Sequence, residues 1–256
     1  MLAVAVPIGL LIGLSLGALG GGGSILTVPA LVFLLHQSPH AATTGSLLIV
    51  GITALAGMAA HHRAGRVRIA PGITFGILGV AGSYAGSRLS ASIQPGLLLT
   101  LFAGLMLVAA AAMLRRRQPR SRPRPQPGGG AVRRRLKIVT AATAVGLLTG
   151  FFGVGGGFVI VPALVLALGF DMPAAVGTSL LVIAINSAAA LTVRIGSHVH
   201  LDWPLLIVFT LAAVAGTLAG NRVASRVDAS RLTLAFAALL IAVAVYSLGR
   251  SLPGLV

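Results

Sequence analysis

Ten apolar runs follow one another along this chain, and most are long enough to cross a bilayer as a helix. They cover residues 2–19, 25–35, 41–60, 71–90 and 96–114, then 137–152, 158–169, 174–193, 204–222 and 232–250. A helix needs about 20 residues to span the hydrocarbon core. Short polar or Gly/Pro-rich breaks separate the runs within each half of the chain. Charged residues make up 9% of the 256 positions and mean hydropathy is +1.02. Soluble domains carry about a quarter charged residues, so this chain cannot coat a water-facing surface. The pattern predicts an all-α polytopic membrane protein. Its first run lacks a positively charged leader and reads as a retained helix.

The formal charge of +16 does not point to nucleic acid, because of where it sits. Ten of the 19 basic residues lie between Arg115 and Lys137, in one stretch joining two apolar halves. That is the distribution of a cytoplasmic loop obeying the positive-inside rule. Pro119, Pro123, Pro125, Pro127 and Gly128–Gly130 make the stretch a solvated tether that can meet anionic lipid headgroups. Residues 1–114 are thus a first transmembrane repeat, 115–136 a linker and 137–256 a second repeat.

The halves match. Gly20-Gly-Gly-Gly-Ser-Ile-Leu-Thr-Val-Pro-Ala-Leu31 aligns with Gly153-Val-Gly-Gly-Gly-Phe-Val-Ile-Val-Pro-Ala-Leu164 without a gap. The same offset pairs Ser46 with Ser179, Thr53 with Asn186 and Pro71 with Pro204. One residue of slippage later, Gly82/Gly86 pairs with Gly216/Gly220. Agreement in order at several places indicates duplication. Five runs per half is odd, so if every run crosses, the second copy is inverted. The basic loops agree: Arg63, Arg66 and Arg68 follow the third run in one half, whereas Arg222, Arg226 and Arg231 follow the fourth in the other. Both chain ends then lie outside.

Each copy has one short run, 25–35 or 158–169, that follows a glycine cluster and holds Pro29 or Pro162. Four consecutive glycines break a membrane helix, at about 1 kcal/mol each relative to alanine. Breaks at equivalent places in two repeats mark a transporter site near the midplane. Half-helices beginning at Ser24 and Phe158 would turn unpaired N–H groups and positive dipole ends toward a small anion. This reading takes Gly21, Gly22, Gly23, Ser24, Gly155, Gly156 and Gly157 as substrate-binding. The competing reading, close helix packing, is assigned to Gly82/Gly86 and Gly216/Gly220. Hydroxyls and an amide at the third run of each half (Thr43, Thr44, Ser46, Thr178, Ser179 and Asn186) complete the candidate site, since they bind an oxyanion without fixing it by a full charge.

Other chemistry is poorly provided for. No Asp or Glu lies inside a run, so the usual carboxylate relay for ion coupling is missing. There is no cysteine, no P-loop lysine motif and no nucleophile–base spacing, so neither a catalytic residue nor a cofactor is assigned. His36, His40, His61, His62, His198 and His200 sit in or near loops and form no convincing metal set. Arg88, Arg222 and Arg194 stand at run ends and are read as snorkelling. For Arg194 the rival role is to draw anions to an outer mouth.

The two glycine-rich blocks ending Pro-Ala-Leu, together with Ala175-Val-Gly-Thr-Ser-Leu-Leu181 and Leu201-Asp-Trp203, resemble the TauE/SafE family of sulfite exporters. In the first half Thr44-Gly45-Ser46 replaces Gly-Thr-Ser, and Arg68-Ile-Ala70 replaces the Asp-Trp feature. The resemblance implies a bacterial inner-membrane permease exporting small sulfur-containing anions such as sulfite or organosulfonates. Its partners would be the anion, the lipid bilayer and, compatibly with the sequence, further copies of itself. Rival readings are a passive anion channel, a non-transporting membrane scaffold and, remotely, an intramembrane hydrolase.

Overall fold

The computed structural model describes residues 2–90, 95–116, 131–152, 157–194 and 201–251. Within them every regular element is helical. The first half comprises α1 (Leu2–Leu19), α2 (Gly22–Pro29) continued by a π-helical turn (Ala30–Leu34), α3 (Pro39–Arg63), α4 (Ile69–Ser90) and α5 (Pro95–Arg116). The second comprises α6 (Ala131–Phe152), α7 (Gly157–Leu166), α8 (Met172–Arg194), α9 (Trp203–Arg226) and α10 (Ala229–Ser251). By length and composition α3, α4, α8, α9 and α10 can each cross a membrane, while α1, α5 and α6 hold shorter apolar stretches.

Local chemistry sets the element ends. Ser38 accepts the Ala41 N–H at the start of α3, with Pro39 at the first helical position, and Asp202 does the same for Leu205 at the start of α9, beside Pro204. Gly20, at φ +74°, ends α1. His36, at φ +53°, follows the π-turn where the second copy has Gly169, at φ +70°. Both close the short helix alike: Gln37 N–H donates to Leu31 O and Phe170 N–H to Leu164 O. Pro29 removes one donor from the ladder, and directly after it the chain widens into the π-turn.

Two boundaries differ from the sequence reading. The first half-helix begins at Gly22, not Ser24, because Gly20 and Gly21 alone make the break and the following glycines join the helix, and among the described residues the second already includes Gly157, ahead of Phe158. Helix α6 begins at Ala131, six residues before its apolar run, so helical backbone extends into the basic stretch. An apolar run marks what lipid and protein bury; a helix can project past it into water.

Close glycine contacts fix the packing. Along α1, Gly9, Gly13 and Gly17 lie successively on Phe209, Ala213 and Thr217 of α9, and Gly216 and Gly220 return the contact to Leu10 and Leu14. In the other copy Gly146 and Gly150 of α6 lie on Gly79 and Ser83 of α4, while Gly82 and Gly86 meet Leu147. Both pairs run parallel. Each is tied by one hydroxyl: Thr217 donates to Gly13 O at 3.0 Å, and Ser83 to Gly146 O at 3.2 Å. The packing role assigned to Gly82/Gly86 and Gly216/Gly220 is what these contacts display.

The centre is an antiparallel pair. Gly51 of α3 faces Ser187 of α8, Gly57 faces Leu180, and Gly177 faces His61. Helix α9 runs alongside α3 in the same direction (Gly45 to Leu206, Gly57 to Thr217), as α4 runs alongside α8 (Gly72 to Thr178, Gly76 to Ile185). Helices α1 and α3 therefore point the same way, both following α9. The short α2 and its π-turn must carry the chain back between them, from level with Thr217 to level with Leu206. At 1.5 Å per residue that return is roughly 16 Å. Leu11, Ile77, Val108 and Leu211 stay more than 60% exposed on outer faces, as lipid-facing residues do.

A stability prediction arises here. A Cβ at Gly150 would lie 1.9 Å from Ser83 O, whereas one at Gly104 meets nothing within 4 Å. Gly150→Leu should lower the melting temperature in detergent sharply, since backbone must separate. Gly104→Ala should be neutral or stabilising, by up to about 1 kcal/mol. Equal melting of the two variants would contradict the packing.

Candidate functional site

The starts of the two half-helices meet, one from each half of the chain. A Cβ on Gly21 would fall 1.6 Å from Gly157 O, and one on Gly157 would fall 2.5 Å from Ser24 Oγ and 2.8 Å from Gly21 Cα. Ser24 and Gly157 are paired by the offset that aligns the two halves of the sequence. Gly20 opens the break against Ser179 Oγ and Val161. Gly22 packs on Leu239 and Gly23 on Ile12 and Leu16. Gly155 and Gly156 lie outside the described residues.

The hydroxyl candidates divide into two groups. Ser24 donates to Gly21 O at 2.7 Å, Ser46 to Thr43 O at 2.8 Å and Ser179 to Val176 O at 2.8 Å, each returning its hydrogen to its own chain segment. Thr53 bonds back to Ile49 O in the same way. Thr43 also bonds back, to His40 O at 3.0 Å, but it, Thr44 and Thr178 accept from more distant groups as well. Arg194 Nη1 donates to Thr43 Oγ1 at 3.0 Å and to Thr44 Oγ1 at 2.8 Å. The Arg68 backbone N–H donates to Thr178 Oγ1 at 3.0 Å.

These two arrangements do not converge. They stand at opposite ends of the α3–α8 pair, because the end of each helix meets the start of the other. Thr44 and His61 mark the two levels on α3, and their separation is roughly 25 Å at the helical rise. Asn186 and Thr53 fall between, near the middle of the pair. Asn186 packs on Gly79 of α4, and its Oδ1 is buried without a hydrogen-bond partner among the described residues.

Two side chains gain significance over the sequence reading. Arg194 does not simply snorkel; it turns onto α3 and holds two hydroxyls of the candidate set. His61, read as a loop residue, is 1% exposed. Its Nε2 donates to Gly17 O at 3.1 Å, across to α1. Positions 61 and 194 are counterparts under the repeat offset, and that alignment is the signal that could have singled out His61. Arg88 is exposed and rests on Tyr84, 5.3 Å from the ring centroid.

Chemically, the arrangement offers short helix starts, hydroxyls and arginines, with no carboxylate inside a helix. That combination suits an anion. Comparison with known proteins gives the family. The family model "Sulfite exporter TauE/SafE" matches residues 5–247. A "Probable membrane transporter protein" of Xylella fastidiosa strain Temecula1 is 35% identical over 260 residues, covering 100% of this chain and 98% of the relative. The "Probable membrane transporter protein YdhB" of Bacillus subtilis is 28% identical over 212 residues, covering 83% of this chain and 86% of the relative. "Probable membrane transporter protein MJ0441" of Methanocaldococcus jannaschii is 21% identical over 253 residues, covering 94% and 92%. No solved structure matches the chain significantly.

Proposed function

Because the chain belongs to the TauE/SafE sulfite exporter family, a family of membrane transporters, we infer that it is a secondary transporter that exports a small sulfur-containing anion, sulfite or an organosulfonate, by alternating access. The observation that carries the reading is the meeting of α2 and α7 start to start at Gly21 and Gly157. Their first N–H groups carry the positive ends of two helix dipoles, directed at one place between the copies. The substrate site is centred on Gly21, Gly22, Gly23 and Ser24, with Gly155, Gly156, Gly157 and Asn186, and Ser46 and Ser179 flank it toward the two ends of the α3–α8 pair. Thr43, Thr44 and Thr178 guard its two approaches.

The helix directions support an inverted repeat. Helices α1, α3 and α9 share one direction and α4, α6 and α8 the other, so α1 opposes α6, α3 opposes α8 and α4 opposes α9. Rocking one copy against the other would part the Gly21–Gly157 contact and admit the ion first from one side, then from the other. The α3–α4 and α9–α10 connections, with the arginines beside them, and the 115–136 linker lie on the cytoplasmic side of the inner membrane, where the linker's arginines meet anionic headgroups.

The test is flux in proteoliposomes with sulfite, thiosulfate, sulfate, sulfoacetate and taurine. Saturable flux of sulfite or a sulfonate, accelerated by the same anion on the far side, is the expected result. Conduction that does not saturate would make the protein a channel, and no flux with any of the five would make it a scaffold.

A further inference from the structure

The two ends of the α3–α8 pair are not chemically alike. At one end the cation is Arg194, held by two hydroxyls. At the other the corresponding residue is His61. Its Nε2 faces the Gly17 carbonyl, which can only accept, so Nε2 carries the hydrogen. Nδ1 of the neutral ring is then a bare lone pair. It is buried and has no hydrogen-bond partner among the described residues.

A second unmet group lies five residues on. Arg66 Nη1 is buried and likewise lacks a partner. Arg66 N–H closes the turn onto His61 O at 3.0 Å, and the turn lies against the start of α8. A Cβ at Gly177 would sit 2.7 Å from Arg66 O and 3.1 Å from His61 Cβ. The next residue, Thr178, is fully buried. Its oxygen accepts from Arg68 N–H, and its own O–H has no acceptor among the described residues. Unlike Ser46 and Ser179, it does not bond back to its helix.

An unmet acceptor, an unmet cationic donor and an unmet hydroxyl hydrogen belong to three residues gathered where the turn after α3 meets the start of α8. Burying such groups unpaired costs about 1–3 kcal/mol each, more for a charged one. A ligand that satisfies all three must present an O–H and a charged oxygen together. We propose that this corner binds a hydrogen oxyanion, a singly protonated anion such as hydrogen sulfite, whose O–H donates to His61 Nδ1 and whose charged oxygens accept from Arg66 Nη1 and Thr178. The choice of a sulfur oxyanion rests on the transport reading above; the donor–acceptor complement does not. A sulfonate has no O–H and would set its own lone pairs against Nδ1. The site therefore selects the protonated ion and carries a proton with it, a role for which the helices supply no carboxylate.

Other ionisable groups leave this assignment to His61. Helices α1 and α2 have none, and α8 has only Arg194, at the far end. Helix α9 contributes Arg222 and Arg226, both exposed, and on the same loop His62, Arg63 and Arg68 are exposed.

Titration of the purified full-length chain in nanodiscs with sulfite and with methanesulfonate tests the proposal without any variant. Sulfite should bind at least about tenfold more tightly than methanesulfonate near neutral pH, and more tightly as pH falls toward about 6. His61→Gln keeps a donor for Gly17 O but has no titrating lone pair, so it should erase that preference. Arg66→Gln should weaken both ligands. Equal affinities in the unmutated protein, or an undiminished preference in His61→Gln, would overturn the site. Sulfite flux with sulfite and methanesulfonate bound equally would sink this site alone. The preference intact with no flux of any sulfur anion would sink the transport reading and leave the site standing.

Discussion

Gly157→Leu is expected to abolish anion flux while the protein still inserts and purifies. The reason is positional. The nearest atom to a new Cβ is Ser24 Oγ, a side chain that can turn away, but the next are Gly21 Cα at 2.8 Å and Gly21 O at 3.0 Å, which are backbone. Trimming Ser24 as well should therefore not rescue the variant. Leucine adds three more carbons beyond the Cβ and would hold the two half-helix starts apart. Overpacking of this kind costs about 1–3 kcal/mol, which a bundle held by two long parallel glycine seams can absorb. What it cannot restore is the approach of two N–H-bearing helix ends to one ion. Proteoliposome flux beside a detergent melting curve separates these effects. A variant that melts normally and transports normally would remove the half-helix contact from the mechanism. Lost flux with a collapsed melting curve would reduce the contact to a structural one.

Much of the architecture could be read from the sequence because lipid imposes a coarse rule. Every backbone polar group must be satisfied internally, so apolar runs of bilayer length become helices. The duplication then predicted two kinds of glycine, and the structure bears out one kind fully: Gly82/Gly86 and Gly216/Gly220 seat parallel helices. Their partners Gly13, Gly17, Gly146 and Gly150 escaped notice, although each pair is spaced by four and the pairs are repeat counterparts. A single glycine inside an apolar run looks like any other small residue until its neighbour is known.

The site was legible only in its residue types. Hydroxyls at the starts of α3 and α8 were identified, yet nothing local says that the helices run antiparallel and set Thr44 and Thr178 far apart. His61 and His62 are adjacent and chemically identical, but one is 1% exposed and the other faces outward. Helical phase against α1 decides between them, and a carbonyl 44 residues away decides the tautomer. Long-range partners of this kind leave no trace in spacing.

Arg194 offers the second large effect. Its Nη1 donates to hydroxyls 151 and 150 residues away, and the side chain is only partly buried. It thus places a fixed positive charge beside the start of α3, where the helix dipole is already favourable to anions. Across about 4 Å at an effective dielectric near 20, one charge contributes on the order of 4 kcal/mol to an incoming anion before desolvation reduces it. Arg194→Ala should therefore raise the anion concentration for half-maximal flux by at least about tenfold, if a third or more of that attraction survives. The maximal rate should change little, because the guanidinium acts at the approach and not at the moving contact between α2 and α7. Arg194→Lys should keep most of the attraction as a point charge. Thr43→Val with Thr44→Val should fall between, since the charge remains but loses its anchors. Initial rates over a range of anion concentrations, measured from each face of oriented vesicles, distinguish the cases. The defect should appear from the face bearing the start of α3 and be small from the other, where Arg66 stands. Equal loss from both faces, or a fall in maximal rate alone, would show that Arg194 ties α8 to α3 and does not receive the ion.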